Sequence, residues 1–291
     1  MVLDMAQRNK PSRRNLIAGL LFVLASPLFI QPALAQESEI QWFKNLDEAV
    51  AAAQESNRPI MIDFWADWCA PCRVMDAEVY TNPALIAAFR EKMIGLRVHF
   101  DLQPEMARKY GVPALPYFVF TNSNGTELLN HRGILEVEDL SALVKAFPAD
   151  LSEVNRLDRV LQEDKDHFPA LRDMGHELRQ MGFYHSSSTF FEKALKHRDI
   201  RNDTAQREPI LYSMALNSLA IQDANSAASA FERCLKEFSK SSRKPDFLLG
   251  LGQAYLLKDD QKKAKRSFDQ LVQEFPDSKA AAAARGLLAK L

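Results

Sequence analysis

The chain has 291 residues, of which 47% are hydrophobic and 26% are charged, and its formal net charge is −1. This length is enough for two hydrophobic cores, and the near-neutral charge argues against a protein that binds nucleic acid. Acidic side chains predominate in residues 36–150 and basic ones in residues 151–291, so we expect two domains.

Residues 1–35 have the pattern of an export signal. A basic stretch that ends at Arg14 precedes the uncharged run 16–36, and Ala33-Leu34-Ala35 is a small-x-small cleavage site. The adjacent arginines fit a twin-arginine signal, which would export a folded protein, but ordinary signals contain them too. If the segment were not cleaved, it would serve as a membrane anchor. We therefore expect a periplasmic or otherwise exported protein in an oxidising compartment.

Residues 38–148 alternate between helix and strand signals. The predicted elements are, in chain order, a helix over Leu46–Gln54, a strand over 60–66, a helix from about residue 70, a short helix from Pro83, a strand over Ile94–Phe100, a helical turn over Glu105–Tyr110, two strands over Tyr117–Phe120 and Glu127–Arg132 joined by a turn at Asn122–Gly125, and a helix over Val137–Phe147. This order predicts an α/β domain with a mixed sheet flanked by helices.

Two cysteines lie at the turn between strand 60–66 and the next helix, in the run Trp68-Cys69-Ala70-Pro71-Cys72. The first thiol would lie over the helix N-terminus, where free backbone N–H groups stabilise a thiolate. The second thiol, one helical turn later, could attack a mixed disulfide formed by the first. The spacing therefore indicates dithiol–disulfide exchange.

The same spacing also occurs in half of a zinc site, which requires four ligands. The third cysteine, Cys234, is far away in a predicted helical region, and none of the six histidines forms a pair with ligand spacing near Cys69. We therefore favour redox chemistry and expect neither a metal ion nor another cofactor. Cys234 falls at a small-residue packing position and is interpreted as a buried structural thiol.

Residues 60–133 resemble a thioredoxin-fold domain, and the similarity covers nearly all of residues 40–148. It rests on the run Asp63–Cys72, on the segment Asp101–Gly111 and on Pro116, which occupies the position of the family's cis-proline. Gly125 and Gly133 match the glycines of the family's hairpin and of the segment after its last strand. The resemblance implies a thioredoxin fold and a redox-active disulfide between Cys69 and Cys72.

The chain departs from thioredoxin after the second cysteine. Arg73 follows Cys72, and Ala77 stands where the family has a helix-kinking proline. The run Met75–Ile86 looks more like the C-terminal domain of envelope disulfide reductases that relay electrons from a membrane transporter. We therefore interpret this half as an envelope relative of thioredoxin.

The resemblance assigns roles to three residues. Cys69 would be the exposed attacking thiolate, and Cys72 the buried resolving thiol. Asp63, the only charge in the apolar run 60–66, would lie beneath the disulfide with a raised pKa and exchange a proton with Cys72. A solvent-facing aspartate at a strand edge is the alternative, which the flanking apolar residues disfavour.

The resemblance also implies a substrate-binding surface. Pro116 would face the cysteines and leave the backbone of its neighbour Leu115 free to pair with an extended client segment. Trp68, next to the first cysteine, would contact the client. Pro116 could instead be an ordinary turn proline. Arg97 lies where the family often has a lysine near the buried acid, so it would either assist this acid or be exposed at a strand end.

The direction of electron flow is indicated by the two residues between the cysteines. Oxidants of this fold often have a histidine there, which strongly stabilises the thiolate, whereas Ala70-Pro71 adds no charge. A less stabilised thiolate implies a more reducing couple. We therefore favour a disulfide reductase or isomerase over an oxidase.

The second half contains an all-α repeat. Residues 149–167 are predicted to form a linker helix, and residues 168–291 resemble three tetratricopeptide units followed by a capping helix. Gly175, Ala215 and Gly252 occupy corresponding positions 40 and 37 residues apart, compared with about 34 in typical units.

These features together predict an envelope thiol-disulfide oxidoreductase that reduces exported proteins. The repeats would recruit clients or another protein partner, and a membrane protein could donate the electrons. Two alternatives stay open. One is an interaction protein whose redox site is a local switch, and the other is a disulfide oxidase or isomerase.

Overall fold

The structure is a computed structural model that describes residues 39–291. The export signal predicted over residues 1–35 lies outside the described residues. Within the described part, no helix is both long enough and apolar enough to cross a membrane.

A five-stranded sheet with the spatial order β1-β3-β2-β4-β5 forms the centre of the N-terminal half. Its strands are β1 (Trp42–Phe43), β2 (Ile60–Trp65), β3 (Ile94–His99), β4 (Tyr117–Thr121) and β5 (Glu127–Arg132). Strand β3 pairs in parallel with β1 and β2, whereas β4 pairs antiparallel with β2 and β5. The mixed sheet agrees with the sequence prediction, but β1 has only two residues, too few for an alternating pattern to reveal it.

Helices cover both faces of this sheet. The first face packs against α1 (Leu46–Ser56) and α4 (Pro104–Lys109), and the second against α3 (Pro83–Lys92) and α5 (Val137–Ala146). Successive side chains of a strand point to opposite faces, so Ile60, Ile62 and Phe64 of β2 join the first core, and Met61 joins the second. The same alternation directs Asp63 to the second face.

The helix predicted from residue 70 has two parts. A short helix α2 (Ala70–Val74) continues into a π-helical turn over Met75–Val79, in which the Tyr80 N–H donates to the Met75 carbonyl at 2.9 Å. Ala77, at the position of the family's kinking proline, lies within this turn. The helix thus changes its geometry here without a proline.

The C-terminal half is entirely helical. It comprises α6 (Ser152–Glu163), α7 (Phe168–Gln180), α8 (Tyr184–Lys196), α9 (Thr204–Ala220), α10 (Ala224–Glu237), α11 (Lys244–Leu257), α12 (Gln261–Glu274) and α13 (Lys279–Leu288), with a 3-10 turn at Arg198–Ile200. Three hairpins, α7 with α8, α9 with α10 and α11 with α12, follow one another, and α13 packs on the last. The predicted fold class, a thioredoxin fold followed by tetratricopeptide-like helices, is confirmed.

A small residue facing a phenylalanine recurs in the repeats. A Cβ atom on Gly175 would lie 2.5 Å from Phe191 Cε1, and one on Gly252 would lie 2.2 Å from Phe268 Cε1. Ala215 and Phe231, both fully buried, have the same sequence separation in the middle hairpin. Each small residue lets the two helices of its hairpin approach closely around an aromatic ring.

The hydrophobic core is continuous between the sheet and the first repeat. The ring of Phe147 lies 6.0 Å from that of Phe120 in β4 and 4.7 Å from that of Phe183, which precedes α8. The Ser186 hydroxyl at the start of α8 donates to the Leu128 carbonyl of the edge strand β5. The first repeat therefore packs directly on the thioredoxin-like half.

Hydrogen bonds to side chains of helix α6 join this helix to the turn between β4 and β5 of the sheet. Asn155 Oδ1 accepts from the Ser123 N–H at 3.1 Å, and Asp158 Oδ2 accepts from Asn124 Nδ2 at 2.9 Å and from Thr126 Oγ1 at 3.1 Å. These bonds provide partners for polar groups of the turn between β4 and β5. The helix predicted as a linker is thus a packed element.

The close helix approach in the third hairpin leads to a first prediction. Gly252→Ala should lower the free energy of unfolding by about 1–3 kcal/mol, because the new methyl group would overlap the Phe268 ring. The matched control is Gly286→Ala in α13, where a Cβ meets nothing within 4 Å. It should raise stability by about 1 kcal/mol, since alanine favours helix. Urea denaturation followed by circular dichroism measures both, and equal effects would contradict the packing described.

Candidate active site

The two cysteines of the motif form a disulfide at the beginning of α2. Their Cα atoms are 5.3 Å apart, and Cys69 is the residue that caps the helix. The Cys72 N–H donates to Cys69 Sγ at 3.2 Å. A hydrogen bond from a helix N-terminus stabilises negative charge on sulfur, so Cys69 is the better placed of the two to carry a thiolate after reduction.

The prediction that Cys69 is exposed is wrong for this disulfide form. Both cysteines are 2% exposed. The reason is that Trp65, Phe100 and Leu115 pack against the disulfide. A client must therefore contact or displace these apolar side chains to reach Cys69 Sγ.

Side-chain contacts join the turn before Cys69 to the end of β3 and to the segment that follows it. Trp68 is 63% exposed, and its indole N–H donates to Asp101 Oδ2 at 2.7 Å. Asp67 Oδ2 lies 3.3 Å from His99 Nε2, and Arg73 Nη1 donates to the Asp67 carbonyl at 2.8 Å. The exposed indole beside the disulfide suits the client contact predicted for Trp68. The sequence pattern had no signal for His99, because its partner is distant in sequence.

The loop before β4 supplies the other side of the site. The Leu115–Pro116 peptide bond is cis, and Leu115 lies against the disulfide. Tyr117, the first residue of β4, is opposite Phe64 near the end of β2. The antiparallel pairing therefore brings Pro116 to the same end of the sheet as the cysteine turn, where the sequence analysis expected it.

Asp63 is buried in the middle of the sheet, with 2% of its surface exposed. Burial raises the pKa of its carboxyl from 3.8 to about 6, while the Arg97 guanidinium and the Tyr80 hydroxyl partly oppose this rise. The alternative of a solvent-facing aspartate is therefore wrong. A carboxyl that ionises near pH 6 is suited to accept a proton from a thiol near neutral pH.

Arg97 lies against this acid and is not an exposed strand-end residue. It is opposite Asp63 in the parallel pairing of β2 with β3, and its Nε is 3.1 Å from Asp63 Oδ2. Its Nη1 is 3.0 Å from Asp76 Oδ1. Sequence reasoning assigned no role to Asp76 or Tyr80, although both lie in the run Met75–Ile86. A resemblance over a run does not show which of its side chains approaches the buried acid.

Across residues 39–291, no group of three or more carboxylate, histidine or cysteine side chains is arranged to hold a metal ion.

The fold and the cysteine pair define a class, the thiol-disulfide oxidoreductases, and comparisons with known proteins agree. A family model described as thioredoxin-like matches residues 41–122, and a tetratricopeptide-repeat model matches residues 246–278. Thioredoxin 1 of Chlorobaculum tepidum is 37% identical over 79 residues, which are 26% of this chain and 72% of that protein. Thioredoxin H4 of Arabidopsis thaliana is 35% identical over 103 residues, 35% of this chain and 79% of that protein. The chain belongs to the thioredoxin family.

A larger relative also matches part of this chain. Thiol:disulfide interchange protein DsbD 2 of Pseudomonas aeruginosa is 31% identical over 96 residues, which cover 32% of this chain but only 16% of that protein. Among solved structures, a thioredoxin from Thermus thermophilus has a TM-score of 0.34 and 25% identity, covering 37% of this chain and 85% of that one. The relatives and the cysteine pair support thiol-disulfide oxidoreductase activity.

The buried acid leads to a second prediction. Because the pKa of Asp63 is higher in the folded state, its ionisation opposes folding once the pH rises above about 4, and the full cost is reached above about pH 6. A gap of about two pKa units corresponds to about 3 kcal/mol. Asp63→Asn should therefore raise the free energy of unfolding by about this amount at about pH 8 and by little at about pH 4.

Chemical denaturation at both pH values measures this difference. The control is Asp277→Asn at an exposed position, which should have little effect at either pH. A gain from Asp63→Asn that is equal at the two pH values would contradict the assigned ionisation.

Proposed function

We propose that this protein is an exported disulfide reductase whose helical repeats recruit its clients. The observation that carries the proposal is the Cys69–Cys72 pair at a helix N-terminus together with the buried carboxyl of Asp63. The proposed location rests on the signal-like pattern of residues 1–35.

The reaction would proceed in two exchange steps. The Cys69 thiolate attacks one sulfur of a client disulfide, which forms a mixed disulfide and releases one client thiolate. Cys72 then gives its proton to the Asp63 carboxylate and attacks Cys69 Sγ. This re-forms the Cys69–Cys72 disulfide and releases the second client thiolate, so two electrons pass from the dithiol to the client.

The residues between the cysteines favour reduction over oxidation. Ala70 and Pro71 place no positive charge beside the Cys69 thiolate, so the dithiol form is not strongly stabilised and the couple is reducing. Continued turnover needs a dithiol donor. A membrane protein that carries electrons to the envelope would fill this role.

The repeats provide the second part of the proposal. The third hairpin matches the tetratricopeptide model, and a cavity of about 420 Å³ between α9 and α10 is lined by apolar Leu211 and Met214 together with polar Ser226 and Arg233. Because the first repeat shares a core with the sheet, a client held by the array would stay near the disulfide. Such tethering raises the effective concentration of the client at a weak exchange site.

Activity is tested by reduction of insulin disulfides with dithiothreitol as the electron source. Cys69→Ser should abolish catalysis, because it removes the attacking thiolate. Cys234→Ala should retain activity, because this thiol is buried in α10 and is not part of the disulfide. Insulin reduction that persists in Cys69→Ser would contradict the proposal.

Clients and location are tested in cells. Cys72→Ala leaves Cys69 able to attack but removes the thiol that resolves the mixed disulfide, so clients should accumulate as covalent adducts in the envelope fraction. The double variant Cys69→Ser/Cys72→Ala is the control and should trap none. Recovery of the protein in the cytoplasm would contradict the proposed export. Recovery of no adducts that depend on Cys69 would favour the interaction-protein alternative.

A further inference from the structure

One guanidinium is shared by two carboxylates, one on β2 and one in the π-helical turn. Arg97 Nε lies 3.1 Å from Asp63 Oδ2, and Arg97 Nη1 lies 3.0 Å from Asp76 Oδ1. The two acids differ in environment: the Asp63 side chain is 3% exposed, whereas that of Asp76 is 39% exposed. A single positive charge therefore connects a buried acid to an acid that water can reach.

The π-helical turn places Asp76 in this position. The turn spans Met75–Val79, directly after α2, so the same short segment holds both Cys72 and Asp76. Turns of this kind inside helices are frequent at functional sites. The turn also ends at Tyr80, whose buried hydroxyl lowers the pKa of Asp63.

Aromatic rings hold the guanidinium in place. Its central carbon lies 4.6 Å from the centroid of Trp65, 5.6 Å from that of Trp42 and 5.8 Å from that of Tyr80. These cation–π contacts exclude water and leave the side chain only 19% exposed. Because Arg97 is enclosed in this way, it stays between the two carboxylates, and a change of charge at Asp76 acts on Asp63.

We propose, building on the proposed exchange reaction, that Asp76 is a positioning residue that acts through Arg97 and sets the pH at which Asp63 takes up a proton. The negative charge of Asp76 draws on the positive charge of Arg97 and repels negative charge on Asp63. If that charge were removed by substitution, Arg97 would act on Asp63 alone and favour its ionised form. Asp76 thus keeps Asp63 basic enough to accept the proton of Cys72.

The other ionisable groups around Asp63 do not duplicate this role. Tyr80 lowers the pKa of Asp63, as Arg97 does, whereas the negative charge of Asp76 raises it. His99 lies against the ring of Trp65, which also contacts Arg97, and is paired with Asp67. Cys69 and Cys72 carry no ionisable proton in the disulfide form. Among these neighbours, Asp76 is the acid in direct contact with Arg97 and open to solvent.

The consequence for the reaction concerns the resolving step. In this step the proton of Cys72 moves to Asp63, the bond between Cys72 Sγ and Cys69 Sγ forms, and the bond between Cys69 Sγ and the client sulfur breaks. The client leaves as a thiolate and is then protonated. A weaker base at Asp63 would be deprotonated over a wider acidic range, but it would accept the thiol proton less readily.

The test is a ¹³C carboxyl titration of Asp63 in the oxidised full-length protein, with the signal assigned by Asp63→Asn. The wild-type midpoint should be near pH 6. Asp76→Asn should lower it by about one unit, because a nearby like charge is removed and Arg97 is released to Asp63. Asp76→Glu keeps the charge and should stay close to the wild-type midpoint.

Glu78→Gln is the matched control, because it removes the same charge from an exposed position in the same turn. It should leave the midpoint unchanged. Arg97→Gln should move the midpoint upward, opposite to Asp76→Asn, which a general loss of structure would not do. An Asp76→Asn midpoint equal to that of the wild type, or shifted no more than that of Glu78→Gln, overturns the proposal.

The kinetic readout is the rate of insulin reduction as a function of pH. The acidic limb of this profile should shift to lower pH in Asp76→Asn and not in Glu78→Gln. If Asp76→Asn shifts the Asp63 titration midpoint but leaves the acidic limb of insulin reduction unchanged, the claim that Asp76 influences the exchange reaction is overturned. The titration uses no client, so it is read independently of the Cys69→Ser assay, whose failure would overturn the proposed function instead.

Discussion

The buried ion pair between Asp63 and Arg97 is the constraint on which the site depends. A carboxyl in the middle of a hydrophobic sheet is costly, and here it is offset by one guanidinium enclosed by three aromatic rings. The compensation is incomplete, because the pKa of Asp63 is still raised to about 6. Ionisation of Asp63 therefore lowers the stability of the folded protein at neutral pH.

The contacts around the disulfide come from both nearby and distant parts of the chain. Its own turn supplies the Cys72 N–H that bonds to Cys69 Sγ. Distant segments supply the cover, since Phe100 follows β3 and Leu115 precedes β4. The cover explains why Cys69, although it lies at a helix N-terminus, is nearly inaccessible in the oxidised form. It also means that a client would first contact this apolar cover, and not the sulfur alone.

The two halves of the chain behave as one packed unit in the described region. The ring of Phe147 joins the sheet to the first repeat, and Ser186 covers part of the edge strand β5. An array attached by core packing has a set position relative to the disulfide. This arrangement is the physical basis of the proposed combination of disulfide exchange with client recruitment.

The sequence by itself determined most of the architecture: the mixed sheet, the cysteine turn, the apolar run around Asp63 and the small-residue positions of the repeats all follow from local periodicity and spacing. Only the tertiary structure decided the burial of Cys69, the pairing of Arg97 with both Asp63 and Asp76, and the packing of α6. The physical reason is that these features join segments far apart in the chain. Local patterns predict which face of a strand or helix is apolar, but not which distant side chain packs against it.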